Sequence, residues 1–279
     1  MKELHNVDLK NFTTIHIGGI AKTMIVPENA DELRKIICDL TPENAIGGGS
    51  NLLINDRIFD LVIDLRSFDL SINDLGEGKF IVGGSVRLQN LINAINKKGY
   101  GGIEYLYSVP GLVGGSIAMN AGGGRNSCHF ISEYLISVQA IINGELITLS
   151  KDECKFEYRS SIFKNASSIV VSALFHFPEK SQEESDKLKK ERIAFCKRTQ
   201  DNSAPNFGSV YMQCSPKIMR LARKLKIGNR SVHFSGKTSN WIVNKEKGDF
   251  SDVMNAMRKV EFLHKILGKE CKREVVVWD

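Results

Sequence analysis

Two rhythms of apolar and polar positions run through the first third of the chain. Residues 22–27 (KTMIVP) form a short apolar run of strand type. Over 29–40, Leu33, Ile36, Ile37 and Leu40 recur three and four apart, which places them on one face of a helix. After a turn-rich segment, 47–57, the apolar stretch 58–65 predicts another strand. The alternation resumes at Lys79 with a strand, KFIVGGSV, then a helix carrying Leu88, Leu91, Ile92 and Ile95 that Gly99 stops. A long glycine-rich loop, 108–124, follows. Strand signals then dominate at 134–142, 145–149 and 168–177, the first two joined by Asn143-Gly144, a dipeptide suited to a hairpin.

Past Pro178 the pattern changes. The segment EKSQEESDKLKKERIAFCKRTQ is highly charged and helical by propensity, and its 187–198 run reads as a solvated helix face. Residues 215–227 are amphipathic through Ile218, Leu221, Ala222 and Leu225, with Gly228 placed as a C-cap. A longer helix over 249–267 carries Val253, Met257, Val260 and Leu267, and 274–278 (EVVVW) returns to strand. The expected organisation is α+β. A small α/β unit spans 1–66, a mainly strand-built unit 67–178, and helices around a short sheet 179–271. The tail 272–279 is expected to rejoin the first unit.

Composition narrows the class. With 42% apolar and 25% charged residues over 279 positions, the chain is an ordinary globular protein, not a disordered tail or a collagen-like repeat. The net charge of +6 fits an anionic ligand or solubility alone and is too weak to point to nucleic acid. The opening MKELHNVDLKNF lacks the apolar centre of a signal peptide. The most apolar stretch, 169–177, falls well short of the ~18 residues of a membrane helix, so a cytoplasmic location away from membranes is expected. Six cysteines are scattered without C-x-x-C and read as reduced thiols, for the most part small buried apolar groups; six histidines lack H-E-x-x-H, and no metal is expected. Trp241 and Trp278 read as packing residues.

The clustered glycines carry the chemistry. Gly47-Gly48-Gly49-Ser50-Asn51 can expose main-chain N–H groups to a phosphate, or can equally be a tight structural turn. No Gly-Lys-Ser/Thr follows it and no G-x-G-x-x-G occurs, which disfavours a P-loop and a Rossmann site. The second cluster, within 108–124, loses much backbone entropy on ordering and needs a reason to do so. Two such loops suggest a ligand with a pyrophosphate and a long body, which FAD fits.

These residues resemble a known family. IGGGSNLLIND (46–56) and YSVPGLVGGSIAMNAGGG (107–124) closely resemble the UDP-N-acetylenolpyruvoylglucosamine reductases, flavoenzymes of peptidoglycan synthesis. The resemblance continues in order through NFTTIHIGGIAKTMIVPEN, FEYRSSIF, GSV (208–210), IVN (242–244) and REVVVW (273–278). It implies two FAD-binding α/β subdomains of the vanillyl-alcohol-oxidase (PCMH) type plus a C-terminal α+β substrate domain. It also implies noncovalent FAD, NADPH as hydride donor, a UDP-linked enolpyruvyl sugar as acceptor, and a monomer. Carried over by motif, the FAD contacts fall on Gly47, Gly48, Gly49, Ser50, Asn51, Pro110, Gly111, Gly114, Gly115, Ser116, Asn120 and Ala121. The catalytic positions fall on Arg159, Ser209 and Glu274, and the substrate contacts on Tyr158, Tyr211 and Gln213.

The residue types suit the chemistry. Hydride delivered to an enolpyruvyl ether builds charge over a carboxylate, which the planar guanidinium of Arg159 can grip; the bland alternative is a surface salt bridge after a strand at 156–158. The Ser209 hydroxyl can protonate the resulting carbon. Glu274, beside Val275, Val276 and Val277, can be a partly desolvated acid or a solvated partner of Lys272 or Arg273. The family's aromatic-Lys-Asn-Pro after GS is Tyr211-Met212-Gln213-Cys214 here, leaving Lys217 or Arg220 to supply the missing cation. The family's Gln-Pro is Gln200-Asp201, its His falls on Ser239 or Asn240, and Gly123-Gly124-Arg125 replace a Tyr and an acid. These departures keep two alternatives open: a paralogue reducing a related enolpyruvyl sugar nucleotide, or an FAD-binding protein without catalysis. Joint retention of Arg159, Ser209 and Glu274 favours an enzyme.

Overall fold

The computed structural model describes residues 1–40, 44–123, 129–164 and 168–279; Gly124 and Arg125 of the glycine-rich segment, and Cys128, lie outside the described residues. Along the chain run β1 (Lys2–Asp8), β2 (Ile20–Val26), α1 (Ala30–Leu40), β3 (Asn44–Ile46), β4 (Leu52–Ile54) and β5 (Ile58–Asp64). Then come β6 (Ile72–Gly76), β7 (Lys79–Gly83), α2 (Leu88–Lys97), α3 (Val113–Ala118), β8 (Leu135–Ile142), β9 (Glu145–Ser150) and β10 (Ser168–His176). The remainder holds α4 (Gln182–Thr199), β11 (Asn206–Ser209), β12 (Tyr211–Gln213), α5 (Pro216–Lys224), β13 (Val232–Phe234) and β14 (Trp241–Asn244). It ends with α6 (Phe250–Ile266), β15 (Lys272–Arg273) and β16 (Val276–Trp278).

The chain divides into two compact units, each discontinuous in sequence. Unit 1 comprises Met1–His5, Thr23–Gly48 and Asp60–Phe195; unit 2 comprises Asn6–Lys22, Gly49–Phe59 and Cys196–Asp279.

Unit 1 is built on a five-stranded antiparallel sheet in the order β6-β7-β10-β8-β9, and on the sheet β1-β2-β5-β3. Leu88, Leu91, Ile92 and Ile95 of α2 are fully buried against Phe80, Val82, Val138 and Phe175. That is the helical face the spacing predicts. On α1, Leu33 and Ile36 pack with Ile25, Ile63 and Ile169, whereas Leu40 at the helix end is exposed. The β8–β9 hairpin turns on Asn143 and Gly144, both with positive φ (51° and 82°), as a two-residue primed turn requires.

Unit 2 holds the antiparallel sheet β11-β14-β13, with Met219 and Ala222 of α5 and Val253, Met257 and Val260 of α6 packed around Phe234 and Ile242. Asp249 caps α6 reciprocally with Asp252. The tail strand β16 lies parallel to β4 in a two-stranded sheet of their own.

Four local expectations are corrected. The turn-rich 47–57 contains a strand, β4, whose pairing partner is the distant tail. The glycine-rich 108–124 contains the helix α3, because Val113 and Ile117 bury one face of it. The helix α5 ends before Gly228: Leu225 is its cap and Lys226 takes the left-handed conformation (φ 51°). Residues 156–158 form no strand; Glu157 and Ser160 bond to each other across a tight turn with Tyr158 and Arg159 at its tip.

Candidate active site

In unit 1 the two glycine-rich segments meet. A Cβ on Gly48 would lie 3.4 Å from the Pro110 carbonyl oxygen, and one on Gly47 3.6 Å from a Leu112 methyl. Gly111 abuts Ser116, whose Oγ would be 3.1 Å from an added Cβ. The start of α3 is held by the sheet: Val113 N–H donates to Val86 O and Gly114 N–H to Gly84 O, each at 2.8 Å. Gly114 is therefore a packing residue, since an added Cβ would fall 3.1 Å from the Gly84 carbonyl oxygen. Gly115 differs. It is exposed, has no positive φ, and an added Cβ would meet nothing within 4 Å.

The second cluster is tied to the YRSS turn. Asn120, buried and left-handed (φ 42°), donates from Nδ2 to Glu157 O at 3.0 Å, and Ser161 Oγ donates to Ala118 O at 2.8 Å. The Ala121 N–H closes the end of the short helix on Ser116 O. Arg159 sits at φ 56°, a conformation a non-glycine residue adopts only when its surroundings impose it. Its guanidinium donates to Gly122 O at 3.1 Å and Asn120 O at 3.4 Å, and its Cζ lies 5.3 Å from the Tyr158 ring. Tyr158 meets Phe130 edge-on at 6.3 Å. Arg159 is thus anchored on the glycine-rich loop.

In unit 2, Gly49 is left-handed (φ 61°) and a Cβ there would fall 1.7 Å from the Phe12 carbonyl oxygen, so only glycine fits. Its carbonyl accepts from Thr14 N–H at 3.1 Å. Ser50 is half-buried. Asn51 is bound to the tail: Nδ2 donates to Glu274 O at 3.1 Å, and its carbonyl accepts from Val276 N–H at 3.0 Å. Ser209 ends β11 after the left-handed Gly208. The next carbonyl, that of Val210, accepts from the N–H groups of Glu274 (2.8 Å) and Val275 (3.3 Å), so the main chain brings Ser209 and Glu274 into neighbouring positions. Arg273 is not the partner of Glu274; its guanidinium forks onto Glu261 at 2.7 and 2.8 Å.

Two expected substrate residues stand differently. Gln213 is half-buried and its amide donates to Glu270. Tyr211 is only 2% exposed, its hydroxyl donates to Met257 O at 3.1 Å, and burial raises its phenol, so its ring belongs to the core and has no edge for a ligand. The alternation of β12 turns it inward. Asn240, singled out in the sequence only as a position where the family's His falls, grips both the N–H and the carbonyl of Tyr211 (3.1 and 2.7 Å). Gly84, which sequence reasoning missed, gives α3 its seat. Neither position carries a signal for this role in a single sequence beyond its residue type.

The residues fit a flavin nucleotide on two counts. Gly115 leaves open space that no protein atom fills, and the buried Asn120 Oδ1 has no hydrogen-bond partner among the described residues. A glycine-lined recess with an unpaired buried polar atom is the kind of surface a flavin nucleotide can occupy. The comparisons agree: the family described as FAD binding domain matches residues 21–150. UDP-N-acetylenolpyruvoylglucosamine reductase of Thermotoga sp. (strain RQ2) is 32% identical over 95% of this chain and 90% of its own length. The enzyme of that name from Prochlorococcus marinus (strain NATL2A) is 31% identical over 92% and 90%. The crystal structure of UDP-N-acetylenolpyruvylglucosamine reductase (MurB) from Thermus caldophilus superposes with a TM-score of 0.82 at 25% identity, covering 100% of this chain and 98% of that one. The chain belongs to the UDP-N-acetylenolpyruvoylglucosamine reductase family. It is an FAD-dependent oxidoreductase of the PCMH type. Among the described residues no helix is long and apolar enough to cross a membrane.

Proposed function

We propose that this protein reduces the enolpyruvyl group of UDP-N-acetylglucosamine enolpyruvate with NADPH, giving UDP-N-acetylmuramate for peptidoglycan synthesis, as a cytoplasmic monomer. The observation that carries this reading is the Arg159 anchor, a strained arginine tied to the carbonyls of Asn120 and Gly122 in the glycine-rich loop. Segments 1–66 and 67–178 hold the flavin and 179–271 the sugar nucleotide. Gly47, Gly48, Pro110, Gly111, Gly115, Ser116, Asn120 and Ala121 hold FAD, with Gly114 seating α3; Gly49, Ser50 and Asn51 are the further FAD contacts that the family motif implies. FAD held by these residues would supply hydride chemistry, with NADPH as its reductant and the terminal carbon of the enolpyruvyl double bond as the acceptor.

The protein handles the charge and the proton. Arg159, always cationic, stabilises the negative charge that spreads onto the substrate carboxylate. The Ser209 hydroxyl gives its proton to the carbon next to that carboxylate, completing the saturated ether. Glu274, held at the Val210 carbonyl beside Ser209, is the second acid of the site. Tyr158 and Gln213 contact the substrate, while Tyr211 belongs to the core.

Ser209→Ala separates these roles. FAD retention and bleaching of the flavin by NADPH stay near wild type, and turnover of the enolpyruvyl substrate falls by ~10²–10⁴, the loss typical of a positioned general acid. Wild-type turnover in this variant, with a solvent isotope effect showing proton transfer to be limiting, refutes the assignment.

A further inference from the structure

Cys214 and Cys271 take no part in the proposed reaction, yet in unit 2 each directly adjoins the same pair of short strands. In the antiparallel pair β12–β15, Tyr211 faces Arg273 and Gln213 faces Lys272. The register shifts between Tyr211 and Gln213, and one further step beyond the Gln213–Lys272 pair, just outside both strands, would set Cys214 against Cys271. Side chains alternate between the two faces of a strand, so the cysteines lie on the face away from Lys272. The environment agrees: Lys272 is exposed, whereas both cysteines are half-buried and pack against the core around Met257 and Val260. Directly opposed residues of antiparallel strands have Cα atoms about 4.5–5.5 Å apart. That lies inside the separation of about 4.4–6.8 Å that a disulfide spans. Both are free thiols in this structure.

We propose that Cys214 and Cys271 form a redox-active pair that closes to an intramolecular disulfide on exposure to a small-molecule disulfide such as oxidised glutathione. One cysteine thiolate attacks the glutathione disulfide, forms a mixed disulfide and releases one glutathione, which takes up a proton. The other cysteine, deprotonated, displaces the second glutathione. The protein loses two electrons and two protons, and one glutathione disulfide becomes two glutathiones. The bond clips together the strand pair that leads directly into Val210 on one side and Glu274 on the other.

The surroundings set the rate. Burial raises both thiols, and the neighbouring Cys214 helps push Cys271 up to about 12. Since only the thiolate reacts, closure is slow at neutral pH and accelerates through the alkaline range. Cys38 is exposed and serves as an internal control for oxidant reactivity. Cys154 is buried and its thiol is raised to about 11.

The test uses the full-length, FAD-loaded protein, and it stands independently of the reductase reading. The protein is incubated with oxidised glutathione at rising pH, its remaining thiols are blocked, and it is digested without reduction for mass spectrometry. A peptide pair joined through Cys214 and Cys271, lighter than the two reduced peptides by about 2 Da, is expected; it forms faster as pH rises and vanishes with dithiothreitol. In Cys271→Ser, Cys214 carries glutathione and no link forms. The proposal is overturned if, once Cys38 is fully glutathionylated, wild-type Cys214 and Cys271 remain thiols or each carries its own glutathione. The wild-type result decides even if the variant folds poorly.

Discussion

Glycines that look alike in sequence do different work. Gly49 is fixed by the protein itself, since its left-handed backbone sits against the Phe12 carbonyl. Gly114 lets a helix lie on a strand end. At Gly115 an added Cβ meets nothing within 4 Å, and the proposed flavin site gives this glycine its reason. Gly49→Ala is expected to lower stability by about 1–3 kcal/mol, the scale of forced backbone strain, readable as a drop in thermal midpoint. Gly115→Val is expected to keep the midpoint of the ligand-free protein and to purify colourless, without FAD. A yellow Gly115→Val protein that binds FAD like wild type contradicts the cradle. The types and approximate places of these residues were legible in the sequence. Their division of labour was not, because it depends on what stands 3 Å away in a chain segment far off in sequence.

Among the elements, legibility followed how local the cause was. The faces of α1 and α2 follow from spacing alone, and the β8–β9 hairpin from one dipeptide. The strand β4 was hidden because its partner is the last strand of the chain, and α3 because two glycines mask the helical signal of Val113 and Ile117. A pH effect belongs to β13. Burial, reinforced by Lys245, depresses His233 below its ordinary value of 6.5, against weaker opposing effects from Asn229 and Asp201. The unfolded chain therefore binds this proton at a higher pH than the folded one. The stability that His233 contributes is complete above about pH 6.5 and is lost as pH falls from there towards the depressed folded value. His233→Asn should flatten that slope in denaturant unfolding measured across the window. An unchanged slope assigns the acid sensitivity elsewhere.

For the whole molecule, the linear boundaries read from composition miss that both units are assembled from separated stretches. Residues 6–22 and 49–59 join the C-terminal half, which no periodicity announces. The motif order, in contrast, made the family legible, because the glycine-rich loops, YRSS, GSV and REVV each keep their place in the chain. The substrate side is where the motif resemblance weakens, with Met212 standing where that resemblance implies a lysine. The central claim, reduction of an enolpyruvyl sugar nucleotide, is tested most directly there. Under anaerobic conditions NADPH should bleach the visible band of the bound flavin. Adding UDP-N-acetylglucosamine enolpyruvate should then restore the band and yield UDP-N-acetylmuramate, detected by mass. Enzyme that NADPH bleaches and that oxygen reoxidises, but that stays bleached with excess substrate and forms no muramate, contradicts the account.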